Sequence, residues 1–234
     1  MELKHARYGV IAMVLSFLLL FFQNMTTANL GKKNLEGELE IIHVDNRDSS
    51  SKYLYYLKGN NKERTLLKFN NKAPTTLRTG AQIKVQGELS GNVLALDSSS
   101  GSVQVLASPA PNTFGVQKTA VFLVNFQDNV VQPYTVSQLN SVVFGEANNF
   151  IKENSFQQTS MSGNVFGWYT LPMAQTCDFI LIRDQVLQTV AAMGVDVNAY
   201  QRHIIVFPKN STCTWAGLGT VGGSPSTAWL NGLI

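Results

Sequence analysis

The sequence predicts an α+β protein, with a small all-β unit followed by an α/β layer unit. Three observations carry this. Residues 35–107 hold short alternating apolar runs, each bounded by Gly, Asn or Ser, with no helical stretch. Residues 116–234 alternate continuous β-branched runs with amphipathic stretches of helical period. Between them, Ser108-Pro-Ala-Pro-Asn112 reads as an extended linker. The implied organisation is a leader over 1–28, a β-rich domain over 29–107, a linker over 108–115 and an α/β domain over 116–234.

Lys4, His5 and Arg7 precede an apolar run from Val10 to Phe22. That run is shorter than the about 20 residues of a membrane span. It fits the core of a signal peptide behind a basic start, with a small-residue cleavage site after Ala28. The alternative is an uncleaved anchor. Both readings export the rest of the chain and leave this segment as its membrane contact. Charged residues are 14% of the total, well under the usual quarter, and the net charge is +3. No basic face is dense enough for nucleic acid. Cys177 and Cys213 are the two cysteines. In an exported protein they read as one disulfide, the alternative being two unrelated buried thiols.

In the first domain, Glu36, Glu38 and Glu40 alternate with Gly37, Leu39 and Ile41, which predicts a half-buried strand with a solvated acidic face. Strands follow at 52–58, 65–69, 80–89, 93–96 and 103–106, with polar turns between them. This spacing argues a small barrel, OB-like with five strands, or a sandwich. His43 lies on an apolar strand and reads as an ordinary strand residue. Tyr53 and Tyr55 share a strand face, as a binding platform or as core.

In the second domain, Thr119–Phe126 is a continuous apolar strand of the kind covered on both faces. A helix over 135–154 opens on a capping box of Thr135 with Gln138. Its apolar stripe is Val136, Leu139, Val142, Val143, Ala147, Phe150 and Ile151. Residues 156–163 read as a loop and Asn164–Leu171 as a strand stopped by Pro172. A helix over 179–193 turns Ile182, Val186, Leu187 and Val190 inward, with Gly194 just past its end. Arg202–Phe207 is a buried strand, followed by a glycine-dense strand at 217–223.

Three chemical readings fail on their own requirements. Gly217-Leu-Gly-Thr-Val-Gly222 has dinucleotide-fingerprint spacing, but Gly223, Ser224 and Pro225 leave no helix start to hold a pyrophosphate. No G-x-S-x-G occurs for a nucleophile elbow. No His pair has ligand spacing and no CxxC occurs. His203, at the head of a core strand, reads as structural. Asn210-Ser-Thr212 is a glycosylation sequon.

Several spaced motifs in the second domain nonetheless share one order. They are Phe144 to Glu153 leading into Asn154-Ser-Phe156, Gly163-Asn-Val-Phe-Gly-Trp-Tyr-Thr-Leu-Pro172, Gly194-Val-Asp-Val with Tyr200, and the strand His203–Pro208. Cys213-Thr-Trp-Ala-Gly-Leu-Gly-Thr-Val-Gly-Gly223 and Trp229-Leu-Asn-Gly232 complete the series. This series resembles the gametolysin-like secreted zinc metallopeptidases, over about Val116 to Gly232. The first domain resembles, more weakly, the β-rich pro-region of such proteins.

The resemblance implies a partial metzincin-like peptidase domain behind a pro-domain. It also implies a zinc cofactor and extracellular protein or peptide substrates. In that family an HExxH helix with a further His follows the Trp-Leu-Asn-Gly segment. No zinc ligand or general base carries onto any residue here, so the ligands are expected beyond Ile234 and these 234 residues are expected to be inactive. The site residues implied are substrate-binding: Leu218, Gly219, Thr220 and Gly222, on an exposed strand where an extended substrate adds its own strand. The alternative is a plain glycine-rich turn. With no cysteine before Cys177, a thiolate latency switch in the pro-region is excluded, so a pro-region that inhibits does so by covering the cleft. The competing reading is a non-enzymatic secreted adhesion or ligand-binding protein acting through its β domain.

Overall fold

The computed structural model describes residues 32–60, 63–97 and 101–232. The leader expected over 1–28 lies outside them. Eleven strands join in one continuous sheet, in the order β6-β4-β5-β3-β2-β1-β10-β11-β9-β7-β8.

The first part of the sheet is a barrel. It comprises β1 (Lys32–Asn46), β2 (Ser51–Lys58), β3 (Arg64–Lys68), β4 (Gln82–Ser90) and β5 (Val93–Leu96), with β6 (Val103–Ala107) beside β4. β1 pairs β2, β2 pairs β3, β3 pairs β5 in parallel, β5 pairs β4, and β4 returns to β1, which closes a ring of five strands. Closure leaves none of the five with a bare edge along its full length. Leu39, Ile41, Leu57, Leu67, Ile83, Val85, Leu94 and Leu96 fill the interior. At Gly87 a Cβ would stand 2.1 Å from the Ala95 carbonyl oxygen, so only glycine lets β4 and β5 approach there.

The second part is a mixed five-stranded platform. β7 (Gly115–Phe126), β8 (Thr159–Leu171), β9 (Arg202–Phe207) and β11 (Ser226–Asn231) are parallel, and β10 (Trp215–Thr220) runs antiparallel to β11. On one face packs α3 (Phe179–Ala192), whose Ile182, Val186 and Val190 meet Phe122, Phe207 and Trp229. Asp178 caps it by accepting from the Ile180 and Leu181 amides, and Gly194 follows its C-cap at φ +87°.

On the other face lies a helical stretch made of α1 (Val136–Asn140), a π-helical segment (Ser141–Ala147) and α2 (Asn148–Asn154). Its Thr135–Gln138 capping box forms as expected, with bonds of 2.7 and 3.1 Å.

Several expectations change. The π segment widens the helix turn, so the buried positions run Leu139, Val143, Asn148, and the expected stripe is broken. Val136, Val142 and Phe150 are exposed instead. Asn148 accepts from the Met161 amide at 2.8 Å, tying α2 to β8. The loop expected over 156–163 is only a turn, because β8 starts at Thr159. The solvated acidic face expected of β1 holds at Glu36 and fails at Glu40, which is 4% exposed.

That failure has a cause in the topology: β1 belongs to both parts. Its first half, Lys32–Glu38, pairs β4 within the barrel, and Ile42–Asn46 pairs β10 of the platform. Side chains alternate, so Leu39 and Ile41 enter the barrel core while Ile42 and Val44 enter the platform core. Glu40 falls at the join. Its carboxylate accepts from Arg183 of α3 at 3.0 Å and from Arg64 of β3 at 3.2 Å.

A buried carboxylate between two guanidiniums leaves uncompensated charge if it is removed. Glu40→Ala is therefore expected to destabilise the chain by about 3–5 kcal/mol in urea unfolding. Arg64→Ala, which leaves the Arg183 pair intact, is expected to cost far less.

Candidate functional site

Leu218, Gly219, Thr220 and Gly222 fall at the junction of barrel and platform. Leu218 is buried in the platform core with Ile42 and Trp229. Gly217 and Gly219 therefore face the opposite side, toward the helical stretch. Thr220 closes the β10–β11 turn, its hydroxyl accepting from the Thr227 amide at 2.9 Å. Gly222 lies in that turn, exposed, at φ +82°.

β10 is not the exposed strand expected from the sequence. One edge pairs β11 over Gly217–Gly219, and the other pairs β1 over Trp215–Thr220. The glycines also differ in role. A Cβ at Gly219 would meet nothing within 4 Å, so this position faces open space and does not relieve a clash. Gly222 answers a left-handed backbone.

The open space beside Gly219 is a groove of ≈ 330 Å³. Ile151 of α2 lines it together with Met161, Ile204, Gly219 and Ala228 of the sheet, and Arg202 stands at the end nearest the linker. Met161 and Ile204 also pack against the Val121–Leu123–Val206 cluster, which places the groove on the same sheet face as α1 and α2. Its lining is apolar along the sheet and rich in threonine around it. Arg202 is held by the Asn112 and Gly223 carbonyls and by the Gln117 side chain, at 2.7–2.8 Å. It thereby pins the linker to the platform.

Across the β1–β10 seam, His43 stands opposite Gly219 and Asp45 opposite Gly217. Both share the groove face. His43 Nδ1 lies 3.5 Å from the Asp45 carboxylate, and its ring packs on Tyr53 at 4.8 Å.

The other histidine singled out from the sequence, His203, also borders the groove, but its ring packs on the far face. His203 is 3% exposed, contacts the Val197 carbonyl through Nε2 at 3.1 Å and lies against Phe122. Its Nδ1 is buried without a partner. Burial lowers its pKa from the usual 6.5, the nearby Arg183 charge lowers it further, and the bond to Val197 opposes both.

Cys177 and Cys213 form a disulfide, with Cα atoms 5.4 Å apart, joining the turn before α3 to the loop before β10. The sequon asparagine, Asn210, is 5% exposed, and its side-chain oxygen accepts from Thr212 Oγ1 at 2.6 Å. Asn231 clasps the same loop through the Asn210 amide and carbonyl. The folded chain thus offers no accessible acceptor at Asn210. Tyr53 is exposed, Tyr55 packs on Phe69 and Tyr56 packs on Phe179, so the three tyrosines do not form one platform.

Among the described residues, no group of three or more His, Cys, Asp or Glu is placed to hold a metal ion. The described residues do not fit a zinc site. No family model matches the chain, and no curated protein matches it.

Sequence reasoning missed the groove and the seam. One signal for the seam was visible: Ile41-Ile42 puts two apolar residues in succession on a strand that otherwise alternates. That is the mark of a strand passing from one core to another.

Two predictions follow from this geometry. Gly219→Ala is expected to leave stability within about 0.5 kcal/mol, while Gly222→Ala costs about 1–2 kcal/mol through its left-handed backbone, read from thermal midpoints. His203 is harder to protonate folded than unfolded. Its contribution to stability is therefore full above about pH 6.5 and falls as pH drops toward the lower folded value. The urea midpoint of His203→Gln is expected to change less than the wild-type midpoint between about pH 7 and 5.

Proposed function

We propose that this chain is the N-terminal portion of an exported zinc metalloendopeptidase of the gametolysin-like kind. Its OB-like barrel is the pro-domain, and the platform is the first half of a metzincin-like peptidase domain. The completed enzyme hydrolyses peptide bonds in extracellular protein. The HExxH helix that holds zinc is supplied by sequence following Ile234.

One observation carries the reading furthest. The groove beside Gly219 leaves an apolar sheet face open on a mixed α/β platform, next to the glycine-rich strand that the resemblance assigns to substrate. A helix laid along Ile204, Ala228 and Ile151 would bury that surface and bring its side chains over β10. The Cys177–Cys213 bridge accords with an exported protein. The barrel docks through β1 directly on β10, as a pro-region that covers the cleft would. The ring closure of β1 to β5 supports the OB-like assignment over a sandwich.

The test compares residues 1–234 with a chain carrying the natural continuation, on a fluorogenic protein substrate with zinc and after chelation. The reading expects no hydrolysis from the shorter chain and chelator-sensitive hydrolysis from the longer one. Zinc-dependent hydrolysis by the shorter chain contradicts it. So does a continuation without HExxH, which would favour the secreted binding-module reading.

A further inference from the structure

The contact between β1 and β10 is a strand addition. It spans only Ile42–Asn46 of β1, and the barrel does not rely on it, because β1 pairs β2 over Glu38–Asp45 and β4 over Lys32–Glu38. The Val221 amide donates to the Ile41 carbonyl at 2.8 Å. Antiparallel alternation then turns the main-chain groups of His43 and Asp45 toward β10. An extended peptide added to a bare β10 edge would make the same bonds.

The side chains of this segment separate into two kinds. Ile42 and Val44, 0% and 3% exposed, fill the platform core among Trp215, Leu218 and Ile182. His43 and Asp45 stand opposite Gly219 and Gly217 on the other face, where a Cβ at Gly219 would meet nothing within 4 Å. Positions on the core side select shape and apolarity. Positions on the glycine side carry polar side chains, His43 and Asp45.

The seam is fastened at both ends. Glu40, two residues before it, is held by Arg183 of α3. Arg47, one residue after it, bonds through its amide to the Thr214 carbonyl and through its guanidinium to the Cys213 and Asn231 carbonyls.

We propose that Ile42–Asp45 is an internal stand-in for substrate. The β1-facing edge of β10 is the strand-accepting site, and β1 keeps it filled. Once β1 leaves, the edge takes extended peptide segments that run antiparallel to β10, with branched apolar residues at alternate positions and polar ones between. Calling the occupant a substrate rests on the peptidase reading; the strand exchange does not.

The probe is a fluorescent peptide with the sequence of residues 38–47, added to the full chain. Arg47→Ala, which loosens one end of the seam, is expected to bind it saturably and about tenfold more tightly than the wild-type chain. A peptide with Asp at the positions of Ile42 and Val44 is expected not to bind. A Val44→Cys, Leu218→Cys pair locks the seam; oxidation is expected to abolish binding and reduction to restore it. Absence of saturable binding by folded Arg47→Ala overturns the proposal, as does equal binding by the oxidised lock.

Hydrogen exchange on the wild-type chain gives an independent readout if the variants fail to fold. The Gly217, Gly219 and Val221 amides, which face β1, are expected to exchange about tenfold or more faster than the Leu218 amide, which faces β11. Equal rates on both edges overturn the proposal. Both readouts need neither zinc nor hydrolysis, so their failure removes this inference alone, whereas loss of zinc-dependent cleavage removes the peptidase reading alone.

Discussion

A single strand passing through two hydrophobic cores is the constraint on which this fold depends. β1 closes the barrel against β4 with its first half and completes the platform against β10 with its second, while β2 follows it across the join. The side-chain alternation of an extended strand then fixes what each residue must be. Leu39 and Ile41 serve one core, Ile42 and Val44 serve the other, and Glu40, between the β4-paired and β10-paired stretches, is a buried carboxylate. Glu40 is tolerable there only because Arg183 and Arg64 arrive from different elements to meet it. The ion pair therefore couples α3, β1 and β3, and breaking it disturbs both parts of the molecule.

Local pattern made much of the architecture legible. Short alternating runs pointed to a barrel or a sandwich, and the ring of pairings from β1 to β5 decides for the barrel. The Thr135–Gln138 box and Gly194 mark helix ends through bonds that two or three nearby residues complete. The continuous apolar run of β7 announces a strand covered on both faces, as α1, α2 and α3 cover it. What stayed hidden depends on partners far away in the chain. Nothing near Glu40 tells of Arg183. Nothing near Gly217–Thr220 tells that β1 will take its edge. The π-helical segment, which holds Gly145, shifts the helix face by one residue, so Asn148 rather than Ala147 turns inward.

The candidate site was legible in position and not in role. The sequence pointed to Leu218, Gly219, Thr220 and Gly222 as backbone that another chain can approach. The structure puts Leu218 in the core, opens Gly219 onto a groove, uses Thr220 to fasten a turn and requires glycine at 222 for its conformation. The edge of β10 that another chain would approach is already taken, by the chain's own first strand. On the proposed peptidase reading, a site filled from within is how a pro-region without cysteine covers the cleft.

The central claim is that β1 lies antiparallel on β10 in the register that sets Ile42 against Thr220 and Val44 against Leu218. Alternation makes these the non-hydrogen-bonded pairs, whose α-protons approach most closely. Proton–proton Overhauser effects on isotopically labelled protein read them directly. The account predicts strong α-proton contacts for both pairs, together with those of β1 to β4. Intact β1–β4 contacts with neither β1–β10 contact would contradict it.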